Sequence, residues 1–469
     1  MKRKILITLF VLLLVGLTPC VLFACGDKDT IIPGKTLVKL ITEKGTEQSY
    51  VDHETTITLP TLEKEGYAFI GRKSSMQTVR GDFNVQKRDK IELTALFEEE
   101  CSKYEKALTL FTSDGSVLEY DEGKFNNVDK KITKLYVKAG YKATLYKKKD
   151  FSGKSFSACY KGKYDGKVGS IVIEKIKTTS YECGPLLTNV DKAALLKQFA
   201  PVYYFDENEQ FFADSVENAP LNMSRNLSQN GYFYEIPGIT DPDFVNDYLK
   251  GTKVNAKAYA FAVEKEYEFL DLSYFVFFPY NLGKKIGFVR YGNHVGDWEH
   301  ITVRLKVEKN SLLSTTVTPV FVEYSTHTWR FYIPFDEVEM TEGHPTAYIA
   351  EGSHGIWQNA GKNVYLNKIV VVLKDSCSKG YAWKLWEDNQ METYAYDALT
   401  WTGTGIGGSK WNTCFDKDYF NPDSNSVIQW GNYKLNKGVF YTRFDDGPNG
   451  PQEKPNLYNY YTMQSMQEF

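Results

Sequence analysis

Gly292-Asn293-His294-Val295-Gly296-Asp297-Trp298-Glu299-His300, running on into Ile301, Val303 and Leu305, is the stretch around which the chain organises. The alternating apolar residues at its end have the period of two that marks a β-strand. A strand puts Asp297 and Glu299 on one face, about 7 Å apart. Trp298, His300 and Thr302 take the other face. Gly292 and Gly296 permit a turn that folds His294 back over the two carboxylates. An imidazole beside two carboxylates suits a divalent cation between Mg²⁺ and Zn²⁺ in character.

The other histidines point to the same region. Of six in the chain, five fall between His294 and His354. They lie in this stretch, in Tyr324-Ser325-Thr326-His327, and in His344-Pro345 with Gly352-Ser353-His354-Gly355. Each adjoins an apolar strand pattern, Pro319–Tyr324 for the second and Ala347–Ala350 for the third. His354, His327 and Trp298 are ligand-binding candidates beside the metal set, and His344 reads as structural. Ser325 and Ser353 raise the question of a Ser–His nucleophile, but no G-x-S-x-G elbow is present. Binding is therefore favoured over catalysis.

Around this region the composition reads as strand and turn. Aromatics make up 15% of the 469 residues, with 33 Tyr and 29 Phe, and these side chains fit pleated, half-buried surfaces. An all-β, multidomain chain is expected. Asp191 to Phe199 is the one short helix, with an acid at its start where the dipole favours it. The divisions are a leader at 1–24, a tether at 25–35, a small β module at 36–98, a second module at 103–178, a large β-sandwich at 188–458 and a tail at 459–469. Net charge is −3, and no nucleic-acid partner is expected. Charge is unevenly spread: from Lys130 to Lys177, 14 lysines face three acids. Such a segment keeps strand edges from pairing or binds anionic polymers or lipid head groups. Five cysteines follow the leader and the tether's Cys25. Cys377 with Cys414 and Cys101 with Cys183 are plausible disulfides in an oxidising compartment.

Several of these stretches resemble known families. Leu22-Phe23-Ala24-Cys25-Gly26 follows a basic start (Lys2, Arg3, Lys4) and a short apolar run, and resembles the lipobox of bacterial lipoproteins. The resemblance implies cleavage before Cys25, diacylation of its thiol, and display on a cell membrane or outer surface. Gly66-Tyr67-Ala68-Phe69-Ile70-Gly71 resembles the β-repeat of internalins and Listeria–Bacteroides surface proteins, with Arg72 where that repeat has tryptophan. Tyr141–Tyr146, Gly153 and the run to Ile171 resemble a βγ-crystallin Greek key. That family often binds Ca²⁺, which would fall here to Asn126 and Asn127 in one loop and Asp165 and Ser170 in another. Lysines beside both loops weaken the expectation.

The large domain resembles the Vps62-like family through Ala200-Pro201-Val202, Phe275–Asn281, the GNHVGDWEH stretch, Gly352–Gly355 with Gly361, and Asp446–Pro451. It is more distantly similar to the necrosis- and ethylene-inducing toxin-like β-sandwich proteins, whose GHRHDWE motif binds a metal that reads a sphingolipid head group. By position that implies His294, Asp297 and Glu299 as metal ligands, with Asn281 in place of an upstream Asp and Gly296 in place of the motif's second His. The expected function is metal-assisted binding of an extracellular glycan or lipid head group, possible cofactors being Mg²⁺, Ca²⁺ or Zn²⁺. A metal-dependent hydrolase and a purely adhesive surface protein are the alternatives.

Overall fold

The computed structural model describes residues 31–468 except 74–77, 80, 86–88, 100–103, 186, 219–223, 229–230, 236–246, 267, 287–288, 312–313, 328, 368–371, 413–414, 416–428, 431–449 and 461–466. Cys20, Cys25, Cys101, Cys414 and nearly all of the Asp446–Pro451 stretch lie outside the described residues. The described chain is all-β in several sheets, as the composition predicts. No helix among the described residues is long and apolar enough to cross a membrane. It divides into two compact units, one of residues 1–62 and 71–96, the other of 63–70 and 97–469.

In the first unit, Lys35–Thr42 pairs antiparallel with Gly45–Asp52 and parallel with the strand that starts at Lys90. Val38, Leu59, Val79, Phe83, Val85, Ile91 and Leu93 form its core. Arg72 is buried there, and burial lowers its pKa against the pull of Glu47. Its Nη2 donates to the Pro60 carbonyl at 3.5 Å.

The second unit opens with two sheets whose strands alternate along the chain. Gly123–Phe125, Ser170–Lys175, Tyr141–Tyr146 and Ser155–Ala158 form one. Gly162–Val168, Lys130–Val137, Leu108–Thr112 and Val117–Tyr120 form most of the other. Leu108, Leu110, Ile132, Leu135, Ala143, Leu145, Ile171 and Ile173 fill the space between them.

The larger part of the unit is a sandwich. Its main sheet runs in the order Tyr181–Cys183, Thr315–Thr326, His294–Lys309, Phe269–Asn281, Ala258–Lys265, Met391–Asp397, Thr402–Gly405. Its central strands alternate between two cores. Leu270, Leu272, Tyr274, Val276 and Phe278 enter one core with Ile301, Val303 and Leu305. Phe275 and Phe277 enter the other with Tyr259, Phe261 and Trp298. The first core is closed by a second sheet of His344–Ile349, Val202–Phe205 and Ala382–Lys384. Both faces of the central strands are therefore dry, unlike a sheet with one wet face. The helix spans Asn189–Gln198, and Thr188 and Asp191 cap it reciprocally. Against the expectation of two disulfides, Cys183 and Cys377 are free thiols, as is Cys159. Burial pushes the Cys377 thiol up to about 12.

Candidate functional site

The strand His294–Lys309 pairs antiparallel with Phe269–Asn281, so that Asp297 faces Phe278 and His294 faces Asn281. Asp297 and Glu299 project toward the core that holds Ile301. Trp298 and His300 take the opposite side. Gly296, at φ +69°, turns the chain so that its carbonyl meets His294 Nδ1 at 2.8 Å. The turn after Ile349 closes over this sheet end. Within it His354, fully buried, stacks on Phe278 with ring centroids 3.9 Å apart.

Four groups meet at Asp297. Asn281 Nδ2 donates to its Oδ2 at 2.9 Å, and the Trp298 amide donates to its Oδ1 at 3.0 Å. His354 Nδ1 stands 3.4 Å from Oδ2 and His294 Nε2 stands 4.0 Å from Oδ1. The tautomers follow from the outer contacts. A carbonyl only accepts, so His294 donates from Nδ1 to Gly296 and His354 donates from Nε2 to the Phe211 carbonyl at 3.1 Å. In the neutral rings, the nitrogens facing Asp297 are then lone pairs. His354 Nδ1 is a buried atom without a hydrogen-bond partner. Asn281 enters with its amide nitrogen rather than its oxygen, because Oδ1 accepts from Gly283 N at 2.8 Å. Its nitrogen also donates to the Ser353 carbonyl.

The two carboxylates do not behave alike. Burial pushes Asp297 up, but His294, His354 and Asn281 outweigh it and hold the carboxyl below its ordinary value, a pull that the two rings exert only when they carry a positive charge. Burial and the Asp297 charge push Glu299 well above its ordinary value. A neighbouring carboxylate charge disfavours a second one in a dry site. The negative charge is therefore favoured on Asp297, while Lys454 and Arg330 pull Glu299 back down.

A second centre forms next to the first. Asp375, fully buried on Val372–Cys377, accepts from His327 Nε2 at 2.8 Å, Ser353 Oγ at 2.7 Å and Trp357 Nε1 at 2.9 Å, and pairs with Lys284 Nζ at 3.1 Å. Burial alone would raise its pKa, but His327, Lys284 and Ser353 hold it well below the carboxylate range. Gly355 is required here, since a Cβ would stand 2.4 Å from Thr326 Oγ1 and 3.0 Å from Asp375 Oδ2. Ser353 links the centres, its carbonyl holding Asn281 and its hydroxyl Asp375. That hydroxyl bonds a carboxylate and not an imidazole, so the Ser–His arrangement does not form.

The structure thus brings three histidine stretches to one end of the sandwich. His344 stands apart, stacked on Trp386 at 3.6 Å and bonded to the Ala200 carbonyl. Trp298 is core, edge-on to Tyr259 at 5.9 Å. Asp375 escaped the sequence reading. Its signal was an acid alternating with Leu373 and Cys377 on one strand. At the four residues expected to bind Ca²⁺, Asp165 pairs with Lys131 at 2.9 Å, Asn126 bonds Asp150, and Ser170 bonds backbone; Asn127 is exposed. Among the described residues no group of three or more His, Cys, Asp or Glu is placed to hold a metal ion as it stands.

Residues 240–382 match the family of vacuolar protein sorting-associated protein 62. Asn281, His294, Asp297, Glu299, His327, Ser353, His354 and Asp375 all fall inside this Vps62 stretch. Vacuolar protein sorting-associated protein 62 of Saccharomyces cerevisiae is 24% identical over 278 residues, covering 52% of this chain and 54% of that protein. A second yeast protein named for vacuolar protein sorting is 28% identical over 171 residues, 33% of this chain and 36% of that protein. The chain thus spans about half, or less, of the relatives it matches. A solved structure titled "Toxin fold for microbial attack and plant defense" aligns with 44% of this chain and 74% of its own, at 11% identity. Its TM-score is 0.26, too low to carry an argument.

Proposed function

We propose that the sandwich domain holds a divalent cation between His294, Asp297 and His354 and uses it to capture an extracellular ligand, a glycan or a lipid head group. The observation that supports this is the convergence of acceptors. When the rings are neutral, two imidazole lone pairs face one carboxylate, and electron pairs packed together in a dry site need either a cation between them or a proton on a ring. Two atoms bound to one tetrahedral zinc at about 2.1 Å stand about 3.4 Å apart. The His354 Nδ1–Asp297 Oδ2 separation is 3.4 Å, and His294 Nε2 stands 4.0 Å from the other oxygen, Oδ1, so a shared cation requires His294 to move in and the carboxylate to present both oxygens or to turn. Two nitrogens and one oxygen favour Zn²⁺ over Mg²⁺ or Ca²⁺. Three protein ligands leave a fourth position for a ligand oxygen. His294 is the one partly exposed member, with 12% of its side chain accessible, so a ligand approaches past its ring. Ser353 and His327 are both bound to Asp375, and this leaves capture as a better reading than bond cleavage.

Metal analysis of the purified chain after equilibration with zinc tests this, together with thermal unfolding with and without chelator. About one zinc per chain and a chelator-sensitive melting temperature are expected, and both should be lost in His354→Ala. No bound metal and no chelator effect would overturn the reading in favour of a protonated His354 paired with Asp297. The domain is placed outside the cell by diacylation of Cys25. Cys25→Ser should release the protein from membranes, and unchanged retention would refute the anchor.

A further inference from the structure

The lysines of the 103–178 module are sorted. Seven of the 14 between Lys130 and Lys177 are engaged: Lys130 with Asp114, Lys131 with Asp165, Lys167 with Asp129, Lys142 with Asp336 and Glu337, Lys161 with Glu98, Lys138 with the Glu105 carbonyl, and Lys134 over Phe111. Of the rest, Lys147, Lys148, Lys149 and Lys154 sit together on the tip between strands Tyr141–Tyr146 and Ser155–Ala158. All four are exposed. None of them has an acid within ion-pair distance among the described residues. The acid of the tip, Asp150, is taken by Asn126 Nδ2 at 2.6 Å.

The tip is held in an unusual shape. Asp150 and Phe151 both have positive φ, +58° and +53°, which costs a bulky side chain energy unless neighbours impose it. Neighbouring loops do impose it. The Asp150 amide donates back to Asn126 Oδ1, closing a reciprocal pair. The Phe151 amide donates to Ser170 Oγ at 3.0 Å, and that hydroxyl donates to the Lys148 carbonyl at 2.7 Å. Asn126 and Ser170, residues a calcium loop would use, are spent on clamping a lysine-rich tip. Half-buried Phe151 lies beside the charges, edge-on to Tyr146.

We infer that this tip is a docking site for an anionic phospholipid surface. Four exposed ammonium groups outside any ion pair, one of them (Lys149) near enough to Asp129 to favour its charge, sit on a short preorganised loop and complement a negatively charged leaflet. An aromatic ring at their base fits the head-group level, where rings with a polar surround settle. A projecting tip suits a flat surface better than a linear polyanion, which needs a groove or stripe.

The test uses the full chain carrying Cys25→Ser, so that no acyl chain contributes. Its co-sedimentation is compared on vesicles of phosphatidylcholine alone and with 30% phosphatidylglycerol, a composition set at about the charge of anionic leaflets. Binding only to the charged vesicles, weakening steeply as salt rises, is expected. Lys147→Gln with Lys149→Gln should lower the partition about 30-fold, each lysine near the surface contributing about fivefold. Asn126→Ala keeps every charge but releases the clamp, and should lower it several-fold. Equal binding to neutral vesicles, or no loss in the double variant, would overturn the inference. Binding to soluble polyphosphate with none to vesicles would also overturn it, in favour of a free polyanion.

Discussion

Asp297 and Asp375 are both buried carboxylates at one end of the same sandwich, and their surroundings are opposite. Asp375 is met only by groups that give protons: an imidazole N–H, a hydroxyl, an indole N–H and an ammonium. Asp297 is met by two amide N–H groups and, on its other side, by two imidazole nitrogens whose protons are committed elsewhere. A carboxylate matched by donors is finished chemistry and holds loops together. A carboxylate facing such nitrogens is completed either by a cation or by protons on the rings. Burial alone does not separate the two; the direction of the hydrogen bonds does.

The contrast is broken most forcefully at Asp375. Asp375→Asn removes the charge that Lys284 and His327 share, and taking one partner from a buried pair costs about 3–5 kcal/mol. Urea unfolding should show this loss equally with and without metal. The pH dependence has a definite sign. The folded pKa is depressed, so this contribution is complete above the ordinary carboxylate pKa and is lost as pH falls through the folded value. The variant should lose less stability than the wild type under acid. Equal acid sensitivity would mean that Asp375 is not the staple described.

Asp297→Asn should have the opposite profile. An asparagine amide can donate to His354 Nδ1 only from the Oδ2 position, where it meets the Asn281 amide donor, so the metal-free protein should lose about one hydrogen bond's worth, about 1 kcal/mol. What should vanish is the response to zinc. A ligand that binds only the folded state stabilises it by about 2.7 kcal/mol at a hundredfold excess over its dissociation constant. Calorimetry with and without zinc reads the difference directly. If Asp297→Asn unfolds the chelated protein as Asp375→Asn does, the two carboxylates are alike and the proposed asymmetry is wrong.

Much of this geometry was legible in the residues. The period of two put Asp297 and Glu299 on one face and His300 on the other, and the glycines at 292 and 296 announced the turn. The clustering of histidines marked the right end of the sandwich. Pairwise electrostatics was not legible. Two acids at i and i+2 read as a matched pair, yet burial raises both and their neighbours separate them: two imidazoles and an amide hold Asp297 down, while the Asp297 charge pushes Glu299 further up. Asn281 read as an oxygen donor, and a single backbone amide at Gly283 turned its other end inward. His354 comes from a turn and Asp375 from a strand, both distant in sequence from Asp297, and no local pattern brings them together. Arg72 shows the same limit: only packing shows that this charged residue is buried.

The smallest effect tests whether the two centres are separate at all. Ser353 belongs to both, with its hydroxyl on Asp375 and its carbonyl on Asn281. Ser353→Ala deletes only the first contact. Asp375 keeps three donors, so the loss should be about 1 kcal/mol, the ordinary worth of one hydrogen bond. The backbone carbonyl stays, so Asn281 should still bracket Asp297. Zinc should then raise the melting temperature of Ser353→Ala by as much as that of the wild type. A reduced zinc response would mean that the hydroxyl sets the position of His354 through the turn between them. In that case the donor-rich centre would be the support of the acceptor-rich one, and the two carboxylates would have to be treated as a single site.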